Sequence, residues 1–252
     1  MSGEQAMREA AREAGISALF RFDEVTESTN ATALRMAAEG APEWSLVVAD
    51  HQTAGRGRLG RTWVSEPGEA LLFSLVLRPR IAPAHAGVLT LLAGVAMAEA
   101  ARISCGAKVR CRWPNDLMVG ESKAGGVLAE SVVAEDRISY VVLGVGVNVL
   151  GAPAEVSEAA SLGGGDPAAL LSAFLRDFRW RYRPAEPEFA DEVLDAWREV
   201  SVTLGRRVRA ETLDGCTVEG TALDVDERGN LVVDVDGARE TVGFGEVAHL
   251  DA

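Results

Sequence analysis

Cysteine is scarce in this chain of 252 residues: Cys105, Cys111 and Cys216 occur singly, with no CxxC spacing. An odd number of isolated cysteines excludes a disulfide framework, and the missing CxxC spacing excludes a cysteine-based zinc site. The three thiols therefore predict a protein of a reducing compartment, the cytoplasm.

Positive charge is also in deficit. The 38 acidic residues outnumber the 25 lysines and arginines, and the formal net charge is −13. This balance argues against broad binding to DNA, RNA or an anionic membrane surface, so any site for an anion must be local. The other fractions, 48% hydrophobic and 25% charged, are ordinary for a globular protein with a sizeable core.

Long hydrophobic runs are missing as well. The most apolar stretch, residues 86–101, is rich in alanine and closes on Glu99 and Arg102. It is too short and too interrupted to span a bilayer, and we predict that it is a buried helix. The N-terminal stretch is acidic and amphipathic, which argues against a secretory signal. We expect no contact with a membrane.

The pattern of apolar and capping residues predicts an α+β fold. Ser28, Thr29 and Asn30 are all N-cap types, and Gly40 fits a helix C-terminus. Helices are predicted at 4–14, 27–40, 84–103, 167–182 and 187–199. Strands are predicted at 20–25, 45–50, 70–79, 109–113, 117–119, 125–133 and 138–150, with turns at 114–116 and up to Lys123 and a loop at 151–167. Closely spaced apolar strands of this kind indicate a mixed sheet with helices on one face.

The pattern of apolar and polar residues changes after Val200. Short alternating strands follow one another closely, separated by the turn pairs Asp214-Gly215, Gly229-Asn230 and Asp236-Gly237. This pattern is typical of a small β-barrel of about fifty residues. We therefore divide the chain into residues 1–201 and 202–252.

One short loop concentrates glycine and positive charge. Residues 55–61, GRGRLGR, hold three glycines and three arginines. They match GxGxxG, but Pro67 and Gly68 preclude the helix that a dinucleotide fingerprint requires, no acid lies near residue 80, and no Walker motif occurs. Two interpretations remain on composition: a nest of amides and guanidinium groups around an anion, or a mobile surface loop with solvated arginines.

Two further segments carry polar groups at strand ends. In RWPND (112–116), Asn115 and Asp116 follow a strand that Pro114 ends, and Lys123 precedes two glycines. This lysine either reaches a phosphate or is a solvated hairpin lysine, whereas Trp113 is best explained by core packing. In LGVGVNV (143–149), the alternating glycines indicate either a ligand or a helix packed tightly against the strand.

Together these segments closely resemble biotin–protein ligases, also called biotin–[acetyl-CoA-carboxylase] ligases. The matching motifs are ESTN (27–30), HQTAGRGRLGRTW (51–63), RWPND (112–116), SKAGG (122–126) and GVGVNV (144–149). Each motif is weak alone, but the five in this order are highly specific, and the resemblance covers essentially the whole chain. It implies a biotin–lipoate ligase catalytic domain, similar to class II aminoacyl-tRNA synthetases, and an SH3-like C-terminal barrel.

The resemblance also implies the reaction and its participants. The carboxylate of biotin attacks the α-phosphate of Mg-ATP to give biotinyl-5′-adenylate, and a lysine of a biotin carboxyl carrier protein then takes the biotinyl group and releases AMP. ATP and biotin are substrates, and Mg²⁺ accompanies the nucleotide. The family's repressor members carry a DNA-binding winged helix before the catalytic domain. Because about twenty residues precede the first predicted strand, we expect no such domain here and no repressor activity.

The family's functional residues can be assigned position by position. The resemblance implies that biotin is bound by Ser28, Thr29, Asn30, Gln52, Gly55, Arg56, Arg58, Lys123 and Gly126. It implies that the adenylate is bound by Arg56, Gly57, Arg58, Gly60, Arg61, Trp63, Asn115, Lys123 and Asn148. The catalytic set is Lys123, Arg58, Asp116 and Arg112, with Asp116 also the candidate ligand of Mg²⁺. Arg112 departs from the lysine more usual in the family.

Three questions stay open at this point. A lipoate–protein ligase shares the fold and the adenylate chemistry, and a non-catalytic module that holds biotin or a carrier domain is the other alternative. The oligomeric state is either a monomer or a weak homodimer. We also hypothesise that residues 53–64 are mobile without ligand and become ordered over the intermediate, since glycine-rich loops have conformational entropy to lose.

Overall fold

The computed structural model describes residues 2–211, 216–243 and 246–250. Five α-helices lie in these ranges: α1 (Gly3–Glu13), α2 (Thr29–Ala38), α3 (Ala86–Cys105), α4 (Pro167–Arg181) and α5 (Phe189–Val200). The first sheet contains β1 (Phe20–Thr26), β2 (Leu46–Gln52), β3 (Ala70–Leu77), β4 (Val109–Arg112), β5 (Asp116–Val119), β6 (Ser122–Ala134) and β7 (Arg137–Asn148). The second contains β8 (Arg207–Glu211), β9 (Thr217–Val225), β10 (Leu231–Val235), β11 (Ala238–Val242) and β12 (Glu246–His249).

The first sheet is mixed, as predicted. Its strand order is β1-β2-β3-β7-β6-β5-β4, with β1 and β2 parallel and the other neighbours antiparallel. One prediction is wrong in detail: Lys123 was placed in a turn but belongs to β6. The connection from β5 is tighter than predicted, because Gly120 adopts a φ of 60° and Val119 already pairs with Ser122. The side chain of Lys123 is thereby fixed to a strand.

The two faces of this sheet are covered differently. Because side chains alternate along a strand, Leu75 and Leu143 belong to the large core that includes α1, α3, α4 and α5. Val47, Val76 and Val142 instead pack against α2 in a smaller apolar cluster. Most of the helices therefore lie on one face, as predicted, while α2 lies on the other. The structure also confirms Ser28 as the N-cap of α2, where its side chain accepts a hydrogen bond from the amide of Ala31.

The predicted apolar helix is α3, and it is the centre of the large core. Within the described residues, the segment Pro83–Cys105 is long and apolar enough to cross a bilayer by length and composition, so the prediction that this stretch is too short is wrong. The predicted burial is confirmed, because 72% of its most apolar window lies inside the protein. A methyl group on Gly94 of α3 would lie 2.9 Å from Sγ of Cys111. The close packing buries that thiol completely and raises the pKa of Cys111 to about 12 by desolvation.

The second sheet is antiparallel, with the order β11-β10-β9-β8-β12. The turn between β9 and β10 contacts the first part of the chain through Trp113. The indole Nε1 of Trp113 donates to the carbonyl of Gly229 at 2.9 Å, and its backbone amide donates to Oγ1 of Thr203 at 2.9 Å. Since Trp113 is 1% exposed, its predicted role in core packing is confirmed. The predicted Asp214-Gly215 turn lies outside the described residues.

Candidate functional site

A cavity of about 300 Å³ opens on the α2 face of the first sheet. The N-terminus of α2, the glycine–arginine loop and strands β5 to β7 enclose it. Most of the residues assigned from the sequence line it: Ser28, Thr29, Asn30, Gln52, Arg56, Gly57, Arg58, Arg61, Trp63, Arg112, Asn115, Asp116, Lys123 and Gly126. The fold thus brings together assigned residues that are up to 98 positions apart in the chain, from Ser28 to Gly126.

A polar pair marks the end of the cavity beside α2. The backbone amide and the hydroxyl of Thr29 both approach Oε1 of Gln52, at 2.7 and 3.1 Å. These bonds fix the amide orientation of Gln52, so that its NH₂ group is the part left to donate. Ser28 and Thr29 are 3% and 4% exposed, which makes this end of the cavity rigid as well as polar.

The glycine–arginine loop is folded as a tight turn. Arg56 and Thr62 form a β-bridge, the amide of Gly57 donates to the carbonyl of Arg61 at 2.7 Å, and Leu59 and Gly60 have positive φ angles of 53° and 75°. The amide of Gly57 is therefore engaged within the loop and does not point at a common centre. The three arginine side chains supply the positive charge of the loop.

Two arginines of this loop contact the walls of the cavity. Nη2 of Arg56 lies 3.2 Å from Oε2 of Glu130. Nη1 of Arg58 donates to Oδ1 of Asn115 at 3.4 Å, and the Asn115 amide in turn donates to the carbonyl of Val127 at 2.8 Å. Asn115 thus fixes the position of one arginine, while Glu130 fixes the other.

Lys123 faces the loop from the opposite wall. Its ammonium lies 2.5 Å from Oδ1 of Asp116, and the guanidinium of Arg112 reaches Oδ2 at 2.7 Å. An added Cβ on Gly126 would lie 3.7 Å from Nζ of Lys123, so the glycine leaves space beside the lysine. The interpretation of Lys123 as a solvated hairpin residue is therefore not what the structure shows.

The Asp116 pairings also bear on the prediction that this residue binds Mg²⁺. Both carboxylate oxygens are already paired with cations, and the described residues contain no cluster of three or more His, Cys, Asp or Glu side chains that could hold a metal ion. Hard cations of this kind need free oxygen ligands. In this structure Asp116 pairs with two cations, and its role as a ligand of Mg²⁺ stays a prediction.

The two glycines of β7 allow close packing over the cavity floor. A Cβ on Gly144 would lie 1.9 Å from Oδ1 of Asn30, and one on Gly146 would lie 2.8 Å from Cε2 of Trp63. The contact of Gly144 with Asn30 of α2 is the tight helix packing that was one of the two interpretations of these glycines. Both glycines also line the cavity, as the other interpretation requires. Trp63 lies over the strand with its indole Nε1 buried and without a hydrogen-bond partner in the part of the chain that the structure describes.

Three assigned residues do not line the cavity: Gly55, Gly60 and Asn148. Gly55 sits behind it, where a Cβ would lie 2.6 Å from the carbonyl oxygen of Trp63. Asn148 is 2% exposed and donates to the carbonyl of Ala160 at 2.9 Å, while its Oδ1 is unpaired among the described residues. Gly55 and Asn148 thus support neighbouring groups, whereas Gly60 is exposed and an added Cβ would meet nothing within 4 Å.

Sequence reasoning missed several residues of the site. Arg209 and Glu211 of β8 line the cavity, so the C-terminal sheet contributes to it. Ser74 lies beneath it, 0% exposed, in the otherwise apolar strand ALLFSLVL. That single hydroxyl in an apolar strand was a usable signal, because a buried polar side chain needs a partner. Nothing in the local sequence marked Arg209 or Glu211.

Comparison with known proteins agrees with this geometry. The Biotin/lipoate A/B protein ligase family matches residues 22–148, and the Biotin protein ligase C terminal domain matches residues 203–250. Biotin–[acetyl-CoA-carboxylase] ligase of Mycobacterium tuberculosis is 38% identical over 239 residues, 89% of this chain and 86% of the relative. The bifunctional ligase/repressor BirA of Bacillus subtilis is 35% identical over 223 residues, 84% of this chain and 68% of the relative.

A solved structure shows the same fold. The biotin protein ligase of Aquifex aeolicus in complex with biotin and ATP superposes with a TM-score of 0.74 at 23% identity, over 92% of this chain and 99% of that one. With the two domain matches and the two relatives, this similarity confirms the fold expected from the resemblance. The chain belongs to the biotin/lipoate A/B protein ligase family and is a ligase of the biotin–[acetyl-CoA-carboxylase] type.

Proposed function

We propose that this chain activates biotin with ATP in the α2-face cavity and transfers the biotinyl group to a lysine of a biotin carboxyl carrier protein. The observation that carries the proposal is the local charge. In a chain of net charge −13, the described lining of the cavity contains six cationic residues and two acidic ones. The cations are Arg56, Arg58, Arg61, Arg112, Lys123 and Arg209.

This charge matches the difficulty of the first step. An oxygen of the biotin carboxylate attacks the α-phosphorus of ATP, the new C–O–P linkage forms, and the bond to pyrophosphate breaks. Two anions have to approach each other, and fixed cations lower the energy of that approach. Arg58 faces the carboxylate and Arg56 closes over the adenylate, while Lys123 holds the phosphate from the other wall. Each well-placed donor contributes about 3 kcal/mol of transition-state stabilisation.

The polar pair beside α2 suits the other end of biotin. The ureido ring offers a carbonyl acceptor and two N–H donors, and Ser28, Thr29 and Gln52 present hydroxyl and amide groups in that region. Trp63 provides the aromatic face for the nucleotide base, with Asn115 beside it. Gly126 leaves room for the substrate chain next to Lys123.

The second step requires an uncharged amine at the acyl carbon. The ε-amine of the carrier lysine attacks that carbon, the acyl–phosphate bond breaks, AMP leaves with the electron pair, and the nitrogen loses one proton to solvent. Asp116 holds Lys123 and Arg112 in place at this point, so that their charges face the departing AMP. Magnesium enters as MgATP, as part of the substrate, since magnesium in such sites is bound largely through substrate phosphates.

The experiment that tests the proposal is mass spectrometry of a purified carrier domain incubated with the chain, MgATP and either biotin or lipoate. We expect a mass increase equal to one biotinyl group, no increase with lipoate, and near loss of the product with Arg58→Ala. Modification with lipoate instead of biotin would show that the chain is a lipoate ligase. Binding of biotin without AMP formation would show a non-catalytic module.

A further inference from the structure

Two residues outside the cavity lining, Ser74 and Glu130, connect its two halves. Oε2 of Glu130 accepts from Nη2 of Arg56 at 3.2 Å and from Nδ2 of Asn30 at 2.8 Å. Oγ of Ser74 lies 2.6 Å from Oδ1 of Asn30 and 2.8 Å from Oγ1 of Thr29. Because the single hydroxyl proton of Ser74 goes to the acceptor Oδ1 of Asn30, a series of hydrogen bonds runs from Ser74 through Asn30 and Glu130 to Arg56, and Thr29 contacts its inner end.

The inner part of this series is rigid. Ser74 is 0% exposed and Asn30 is 4% exposed, and Nδ2 of Asn30 also donates to the carbonyl of Leu128 at 3.2 Å. Buried polar groups with all their partners in place hold a single geometry, because each unmade bond is costly there. The carboxylate of Glu130 is therefore anchored from the inside of the protein.

The outer part is more exposed. The side chain of Arg56 is 44% exposed, against 28% for Glu130, and it belongs to a loop with glycines on both sides. An arginine on such a loop loses much conformational freedom when it grips a ligand. A fixed carboxylate that holds one Nη group reduces that loss beforehand and leaves the other guanidinium nitrogens to face the cavity.

We propose that Glu130 is a positioning residue that holds Arg56 for the nucleotide, anchored in turn by Asn30 and Ser74. The inference rests on the proposed function for its substrate, since it assigns Arg56 to ATP. It makes Glu130, which does not line the cavity, a determinant of nucleotide affinity, and it predicts that this effect on the nucleotide passes through Arg56.

The test is Glu130→Gln, which keeps the shape of the side chain and an acceptor for Asn30 but removes the charge that holds Arg56. We expect the KM for ATP to rise about tenfold, with kcat and the KM for biotin changed less than about threefold. The reason is that Arg56 would lose binding energy for ATP equally in the ground state and the transition state. The matched control is Glu135→Gln, an exposed position at the turn of the same hairpin, with no expected effect.

A double-mutant cycle separates positioning from a general structural role. In an Arg56→Ala background, Glu130→Gln should change the KM for ATP less than about twofold, because two residues that act through one contact are not additive. Ser74→Ala should raise the KM for ATP about threefold, in the same direction, by loosening Asn30. An equal effect of Glu130→Gln in both backgrounds, or no difference from Glu135→Gln, would overturn the proposal.

Hydrogen exchange in the ligand-free chain gives a readout that does not depend on the reaction. We expect Glu130→Gln to speed exchange of the Gly57 and Trp63 amides about fivefold, the scale of a partly exposed ion pair. Unchanged exchange at both amides would contradict the role of Glu130. Should the wild type form no biotinyl-adenylate, the proposed function fails, and this measurement still decides whether Glu130 holds Arg56.

Discussion

The two faces of the seven-stranded sheet use the same strands for opposite purposes. Toward α3 and α4, β3 and β7 present Leu75 and Leu143, both 0% exposed, in a tightly packed apolar core. Toward α2, the neighbouring positions are Ser74, Gly144 and Gly146, which give hydrogen bonds and space. One face is built for stability and the other for a cavity, and a shift of one residue along a strand moves a side chain from one to the other.

The greatest loss of activity is expected on the cavity face, from Lys123→Ala. Removing a cation that faces the transferred phosphate should lower kcat/KM for adenylate formation about 10³-fold. The chain contains one other lysine, Lys108, which is exposed and distant from the cavity lining. Lys108→Ala is therefore the matched control and should retain wild-type activity in a pyrophosphate-release assay. Equal activity of the two variants would remove Lys123 from the catalytic set.

A pair of variants in β7 compares the two faces directly. Gly146→Ala places a methyl carbon 2.8 Å from Trp63, and we expect kcat/KM to fall about 30-fold while the free energy of unfolding changes by about 1 kcal/mol, because the loop can yield. Leu143→Ala, on the face covered by α3 and α4, should lower the free energy of unfolding by about 3 kcal/mol and leave kcat/KM of the folded enzyme nearly unchanged.

Urea unfolding and pyrophosphate release, measured on both variants, check this pair. The opposite result, a stability loss at Gly146 and an activity loss at Leu143, would mean that the division between the two faces is wrong.

A smaller effect is expected at Arg112, where this chain departs from the family's usual lysine. Arg112→Lys keeps a cation that can reach Asp116, so we expect carrier biotinylation within about threefold of the wild type. Arg112→Ala, which leaves Asp116 paired with Lys123 alone, should lower the rate about tenfold. Single-turnover transfer from preformed biotinyl-adenylate measures this step alone. A larger loss of transfer rate in Arg112→Lys than in Arg112→Ala would show that the positive charge at position 112 does not determine the rate.

The smallest effect concerns the thiols. Burial raises the pKa of Cys111 to about 12, so at pH 8 the folded protein holds this residue as the neutral, unreactive thiol. Cys216 is exposed. Iodoacetamide at pH 8 should label Cys216 in the native protein and Cys111 only after unfolding, with little change in activity on native labelling. Peptide mass mapping checks this, and labelling of native Cys111 at a similar rate would contradict the packing against Gly94.

The sequence predicted the parts of this molecule that depend on local chemistry. Neighbouring residues determine the N-cap at Ser28, the apolar helix α3 and the alternating strands, and the structure confirms all three. The motifs also identified most of the cavity lining, such as Arg58 and Lys123. The order of the motifs along the chain identified the family, but it did not predict how the side chains are arranged around the cavity.

What could not be predicted depends on contacts between distant segments. Glu130 looks like an ordinary strand residue until the fold brings it to Arg56, 74 positions away. The contacts of the Asp116 carboxylate with Lys123 and Arg112 were likewise not predicted from the sequence. Arg209 comes from the second sheet, and no local pattern marks a residue whose role is set by the packing of two domains.

The central claim is that the α2-face cavity holds both reactants at once. A crystal structure with biotin and a non-hydrolysable ATP analogue tests it most directly. We predict that the biotin ring lies beside Thr29 and Gln52, and that its carboxylate meets the α-phosphate between Arg58 and Lys123. Biotin or nucleotide bound on the sheet face covered by α3 and α4 would contradict the account. So would a complex with the biotin carboxylate and the α-phosphate on opposite sides of the loop.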